Sequence, residues 1–192
     1  LNPNSTQDFE IVKTTNGKIF KMLADGTKVW LNKNSELRYN TVFGKDKREI
    51  VLKGDAYFDV VKNKAIPLFI HAGNIDIEVK GTAFNVNAYH DKDNIEVALV
   101  KGLIQVTDKL DSKRTVLLHP NEKFTLNHVK NDNMYRFLVK SVEAETLLKE
   151  TSWIADTLNF NKEKLVSLVV RMEKKFDVKI NIQSEKLKEK RF

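Results

Sequence analysis

From Ile11 to about Leu138, apolar and polar residues alternate in short runs punctuated by turn residues, a pattern that predicts strand after strand. Ile19 to Leu23 and Lys28 to Leu31 flank Ala24-Asp25-Gly26-Thr27, where Asp-Gly suits a tight hairpin. Ile50, Leu52, Ala56, Phe58 and Val60 keep one parity across Gly54, so one face of a single long strand, or of two collinear ones, should be core. Two later segments behave differently. Ile75, Ile77 and Val79 are odd-numbered but Phe84, Val86 and Ala88 even; Ile95, Val97 and Leu99 are odd but Ile104 and Val106 even. Each flip falls at a Lys-Gly step, Lys80-Gly81 or Lys101-Gly102, and an extra residue there, as in a β-bulge, would restore the inward face and bend the strand. The pattern predicts corners between two packed sheets. A turn at Pro120-Asn121-Glu122 precedes the last inward pair, Phe124 and Leu126.

The texture changes after Val139. Ser141 to Trp153 reads as a helix with Val142, Leu147, Leu148 and Trp153 as its apolar contacts, and Thr157 to Phe160 as a short strand. Asn161 suits the N-cap of a second helix, with Phe160 and Leu165 at the positions of a hydrophobic staple. Leu165, Leu168, Val169, Met172 and Phe176 make its apolar stripe, and Lys174 and Lys175 suit its C-terminal dipole. Val178, Ile180 and Ile182 then alternate as a strand, giving a β-α-β unit. The expected fold is mainly β. A linker over 1–10 leads to a jelly-roll-like β-sandwich domain over 11–140, a helical connector over 141–156 and a small, truncated α+β (βαβ) domain over 157–192.

Composition narrows the function. With 192 residues, 41% of them hydrophobic, the chain can bury a proper core, and no apolar run approaches the roughly 18 to 20 residues of a membrane helix. It begins at Leu1 rather than Met, so an excerpt or a processed product is expected. The absence of cysteine removes disulfides, thiolate nucleophiles and thiolate metal sites together. Net charge is +7, carried by 27 Lys and only 6 Arg scattered along the chain, whereas nucleic-acid surfaces gather their charge on one face and read bases with Arg forks. No nucleic-acid partner is expected.

Candidate chemistry is sparse. There is no Gly-x-Ser-x-Gly elbow, phosphate loop or dinucleotide fingerprint, and His71, His90, His119 and His128 lack metal-ligand spacing. His90 to Asn94 resembles a calcium loop but lacks its glycine and distal glutamate. Asp55 and Asp59 could serve a glycosidase only if both faced one cleft, and acids on the outer face of a half-buried strand are routine. Trp30, Tyr57 and Tyr89 could form a sugar-stacking platform, or equally a packed cross-strand set. No catalytic residue, metal site or cofactor is assigned.

The connected signature is more informative. Asp25, Gly26, Thr27, Val29, Leu31, Asn32, Ser35, Leu37, Tyr39, Phe43 and Arg48 are followed by Leu52, Gly54, Ala56, Phe58, Val60 and Pro67. Then come Val79-Lys80-Gly81-Thr82-Ala83-Phe84-Asn85-Val86-Asn87-Ala88-Tyr89, Leu99 to Gly102 with Ile104 and Val106, and Pro120 to Glu122. In that order these residues resemble the extracytoplasmic part of FecR-family anti-sigma regulators of the Bacteroidetes type. Trp153, Leu158, Phe160, Leu165, Val169, Phe176, Val178 and Ile180 look like the small secretin/TonB-type signalling domain that follows in such proteins. Asp55, Asn40 and Asn121 depart from the family's usual Glu, Pro and Gly; Asn tolerates the left-handed backbone of a turn glycine.

The resemblance implies a non-enzymatic sensor at the periplasmic face of the inner membrane. Its partner would be the signalling domain of a TonB-dependent outer-membrane transducer. A sigma factor would bind only through an N-terminal segment outside this chain, and the membrane would be reached only through an anchor helix likewise outside it. Val178, Lys179, Ile180 and Ile182 are the expected partner-binding residues, by strand addition, with the helix over 162–176 as the other docking choice. The alternative reading is a periplasmic carbohydrate-binding β-sandwich module.

Overall fold

The computed structural model describes residues 9–89, 94–129, 134–154, 163–176 and 178–191. The chain divides into two compact units, Leu1–Ile154 and Ala155–Phe192.

Among the described residues of the first unit, thirteen strands form one sheet that folds over a single core. They are β1 (Phe9–Lys13), β2 (Ile19–Met22), β3 (Lys28–Leu31), β4 (Glu36–Asn40), β5 (Arg48–Asp59), β6 (Leu68–Ala72) and β7 (Ile75–Val79), then β8 (Ala83–Ala88), β9 (Asn94–Lys101), β10 (Ile104–Asp108), β11 (Thr115–Leu118), β12 (Glu122–Val129) and β13 (Met134–Ser141). Strand β5 is the hinge of the design. Its first half pairs with β4 and β6, in the half-sheet β1-β4-β5-β6-β7-β10-β11; its second half pairs with β3 and β8, in the half-sheet β2-β3-β5-β8-β9-β12-β13. The mainly β reading holds. One pair, β5 with β6, is parallel, where a jelly roll would be antiparallel throughout.

The three Lys-Gly steps are among the places where the chain passes between half-sheets. Gly54 lies inside β5 at its change of partners, Gly81 between β7 and β8, and Gly102 between β9 and β10. Gly54 has φ +98°, and a Cβ there would stand 2.3 Å from Ser35 Oγ; at Gly102, with φ +102°, it would stand 2.5 Å from Thr82 Cγ2. Backbone conformation and close approach both demand glycine. Because the corners correct the phase, the inward residues on both sides of each one reach the same core. Ile50, Ile70, Ile77, Phe84, Val97, Ile104 and Phe124 are all fully buried, and Phe58 stacks on Phe84 with ring centroids 5.3 Å apart. Burial of this kind contributes about 1.5–3 kcal/mol for each large apolar side chain.

A short helix, α1 (Ala144–Thr151), follows β13 with Leu147 buried, and Lys18 Nζ donates to the carbonyls of Trp153 and Ile154 at 2.9 and 3.1 Å. The helix is shorter than the Ser141 to Trp153 read from the sequence.

The second unit contains α2 (Leu165–Phe176) and α3 (Glu185–Lys188) among its described residues. An isolated bridge joins Lys164 to Arg191, and the Leu165 N–H donates to the Lys190 carbonyl at 2.8 Å. The strand expected over Thr157 to Phe160 and the cap at Asn161 lie outside the described residues. The strand expected over Val178 to Ile182 is a correction: residues 178–184 form none. Glu173 accounts for it, since its carbonyl accepts the Val178 N–H at 3.3 Å and its Oε1 the Ile180 N–H at 2.8 Å, drawing ladder donors back to the end of α2.

Candidate partner-binding site

Two buried polar networks fix the first unit before any surface is considered. Arg48 starts β5 on the same parity as Ile50 and Leu52, so its side chain enters the interior, where it is 1% exposed. Its Nη1 donates to Asp25 Oδ2 and to the Val61 carbonyl, both at 3.0 Å, while Nε and Nη2 reach the carbonyls of Ile66 and Asn63 at 2.7 and 3.2 Å. Asp25 also accepts from Thr27, through its N–H at 2.9 Å and its hydroxyl at 2.8 Å. A buried guanidinium is tolerable only with such saturation. The Asp25-Gly26-Thr27 hairpin is thereby tied to β5 and to the 61–66 loop.

The second network lies at the Gly54 corner. Ser35 Oγ accepts the Asp55 N–H at 2.9 Å, and Thr14 Oγ1 accepts the Ser35 N–H at 2.9 Å. The Asp55 carboxylate takes the side-chain amides of Asn32 and Asn85, each at 2.9 Å. Asp55 is buried rather than on the solvated outer face expected from its parity, and Trp153 faces it across a cavity of about 170 Å³. Asp59 is exposed and does not join it, so the pair does not converge on a cleft. Both networks are structural, and sequence reading gave neither Arg48 nor Asp55 a structural role. The inward parity of Arg48 was the available signal; nothing local marked Asp55.

The aromatics divide between two places. Phe20, Trp30 and Tyr57 stand in one cross-strand row over β2, β3 and β5, with Phe20 to Trp30 tilted by 53° and Trp30 to Tyr57 edge-on at 67°. Tyr89 is elsewhere, its hydroxyl donating to the Lys33 carbonyl at 2.7 Å. The three rings named as a sugar platform therefore share no plane. His71 Nδ1 pairs with Asp76 Oδ1 at 2.7 Å; of the calcium-like loop, residues 90–93 lie outside the described residues and Asn94 starts β9. Among the described residues, no group of three His, Asp or Glu could hold a metal ion, and no helix is long and apolar enough to cross a membrane.

The expected partner-binding residues lie in the second unit. Val178 is 45% exposed, Lys179 is exposed, and Ile180 and Ile182 are half-buried. On α2 the predicted stripe holds where it is described: Leu168 and Val169 are buried, Leu165 and Met172 half-buried. One turn apart on the same helix, Val166 and Val170 are 40% and 59% exposed, and Leu187 on α3 is also exposed. An i, i+4 valine pair facing water is an apolar face that sequence reading missed, because only the inward stripe was counted. The arrangement offers contact surface, not reactive groups.

Known proteins place this geometry. A family model described as FecR protein matches residues 10–105, from β1 into β10. Two crystal structures of a candidate anti-sigma factor from Parabacteroides distasonis are similar over 88% of this chain and 75% of theirs, at 26% and 27% identity with TM-scores of 0.68 and 0.67. The search of curated proteins finds no match. The matched segment contains both polar networks' anchors, Asp25, Ser35, Arg48 and Asp55, and all three Lys-Gly steps; the chain belongs to the FecR family.

Proposed function

We propose that this chain is the periplasmic sensor and relay part of a membrane-anchored anti-sigma regulator. It receives a signal from the signalling domain of a TonB-dependent outer-membrane transducer and passes it through the parent protein's membrane helix to an extracytoplasmic-function sigma factor. Membership of the FecR family carries this reading, and similarity to the Parabacteroides candidate anti-sigma factor supports it. The mechanism is differential binding: the transducer favours one state of the periplasmic part and shifts its population. A near-complete switch between two states needs about 10⁴-fold preference for one of them, so contact with the transducer must be extensive in that state only.

The β body is a scaffold and the small C-terminal domain over 157–192 is the receiver. The transducer docks on the α2 face carrying Val166 and Val170 and on the neighbouring sequence Val178, Lys179, Ile180 and Ile182, where strand addition would order an irregular stretch. No turnover is involved. Calorimetric titration of the transducer's purified signalling domain into the chain tests the reading. Saturable one-to-one binding is expected, and no heat at any attainable concentration would remove the relay.

A further inference from the structure

The β body holds one Asn-Gly step, Asn16-Gly17, and one Asp-Gly step, Asp25-Gly26, and the chain has no others. Both glycines lie in loops, between β1 and β2 and between β2 and β3, with left-handed φ of +79° and +85°. Glycine has no Cβ to shield its nitrogen, so in such a step that nitrogen can close a five-membered ring on the side-chain carbonyl of the residue before it. Closure needs a side chain loose enough to turn and a nitrogen not engaged as a donor. At Asp25 both are tied. The carboxylate accepts Arg48 Nη1 at 3.0 Å and the Thr27 N–H and hydroxyl at 2.9 and 2.8 Å, and the Gly26 N–H donates to the Leu23 carbonyl at 3.0 Å. Asn34-Ser35, whose asparagine also has a positive φ, is tied at the nitrogen, since the Ser35 N–H donates to Thr14 Oγ1 at 2.9 Å. At Asn16 neither is tied. Asn16 and Gly17 are exposed and make no hydrogen bond among the described residues, and no heavy atom beyond the chain neighbours lies within 4 Å of where a Gly17 Cβ would stand.

We propose that Asn16 is a self-modification site, at which the folded protein converts asparagine to aspartate and isoaspartate while Asp25 and Asn34 stay intact. The Gly17 nitrogen attacks Asn16 Cγ, the Cγ–Nδ2 bond breaks, and ammonia leaves with the proton that the attacking nitrogen gives up. Water then opens the succinimide so formed. Hydrolysis at Cγ gives aspartate; hydrolysis at the main-chain carbonyl gives isoaspartate, which routes the backbone through Cγ and lengthens the link between β1 and β2 by one carbon. Either product carries a carboxylate that lowers the net charge of +7 by one unit. Water is the only co-reactant. The proposal is independent of the regulatory reading, since it concerns only loops of the β body and stands whether or not a transducer docks on the second unit.

The test incubates the full chain at neutral pH, folded in buffer and in parallel unfolded in guanidinium chloride, and follows the peptides covering the three sites by chromatography and mass spectrometry. Conversion of an asparagine reads as a gain of about one mass unit, and isoaspartate at Asp25 as a new peak of unchanged mass. In buffer Asn16 should convert within about threefold of its rate in denaturant, whereas folding should slow Asp25 and Asn34 by at least about tenfold each. Asn16→Gln should remove the mass gain, because glutamine would have to close a six-membered ring, and should leave stability unchanged as at other exposed loop positions. Folding that slows Asn16 by about tenfold or more would overturn the site. So would an Asp25 that isomerises as fast folded as unfolded, or a mass gain that persists in the Asn16→Gln peptide.

Discussion

The β body and the segment over 163–191 bury the same apolar residue types to different extents. In the body, Ile50, Ile70, Ile77, Val86, Val97 and Ile104 are wholly withdrawn from water, and buried hydrogen-bond networks secure even a charged side chain such as Arg48. In the segment, Leu168 and Val169 are buried while Val166, Val170, Val178 and Leu187 stay 40% or more exposed. The body leaves apolar side chains at its surface too, Leu110 at 71% and Val42 and Leu117 at 52%, so the two regions differ in the core beneath, which is large in the body and, among the described residues, small in the segment. The body carries the core; we propose the segment as the docking face.

The contrast can be broken hardest in the body. Arg48→Ala should destabilise it by about 3–5 kcal/mol, because the substitution strands the Asp25 carboxylate and three loop carbonyls; denaturant unfolding measures this. Gly54→Ala should cost about 2–4 kcal/mol, combining a left-handed backbone with a collision against Ser35, and the loss should shrink when Ser35→Gly is added. Val166→Asp with Val170→Asp is the sharpening case. Stability should change by no more than about 0.5 kcal/mol for each, as at other exposed positions, while affinity for the transducer's signalling domain falls at least about tenfold. Equal losses of stability in both regions would erase the distinction.

The smallest effect is electrostatic. Burial, helped by the Glu10 carboxylate, pushes the Tyr39 phenol up to about 12 from its ordinary value of 10.0. The folded state then holds its proton where the unfolded state has lost it, so this contribution is complete below pH 10 and drains away as pH rises towards about 12. Ultraviolet difference titration should show late tyrosine ionisation, to which Tyr57, also raised by burial, contributes, and Tyr39→Phe should remove the Tyr39 part of it.

Much of the body was legible because strand parity is a strict code. The flips at Gly81 and Gly102 marked both corners, and constant parity across Gly54 marked one long strand. Asn121 adopts φ +65°, the left-handed backbone expected of a residue standing where the family has glycine. What escaped was set by distant partners. The parallel pairing of β5 with β6 leaves no trace in either strand's alternation. Asp55 sits at an outward position, and its carboxylate is held by Asn32 and Asn85 from two other parts of the chain. Val178, Ile180 and Ile182 alternate as a strand should, yet alternation does not form a ladder when the side chain and carbonyl of Glu173 hold two of its N–H groups.

Hydrogen exchange on the intact chain, with and without the transducer's signalling domain, tests the division of labour most directly. The account expects new protection within 163–191, centred on α2 and residues 178–182, and unchanged exchange in the strands of the β body. Protection confined to the β strands, with 163–191 exchanging as before, would contradict it.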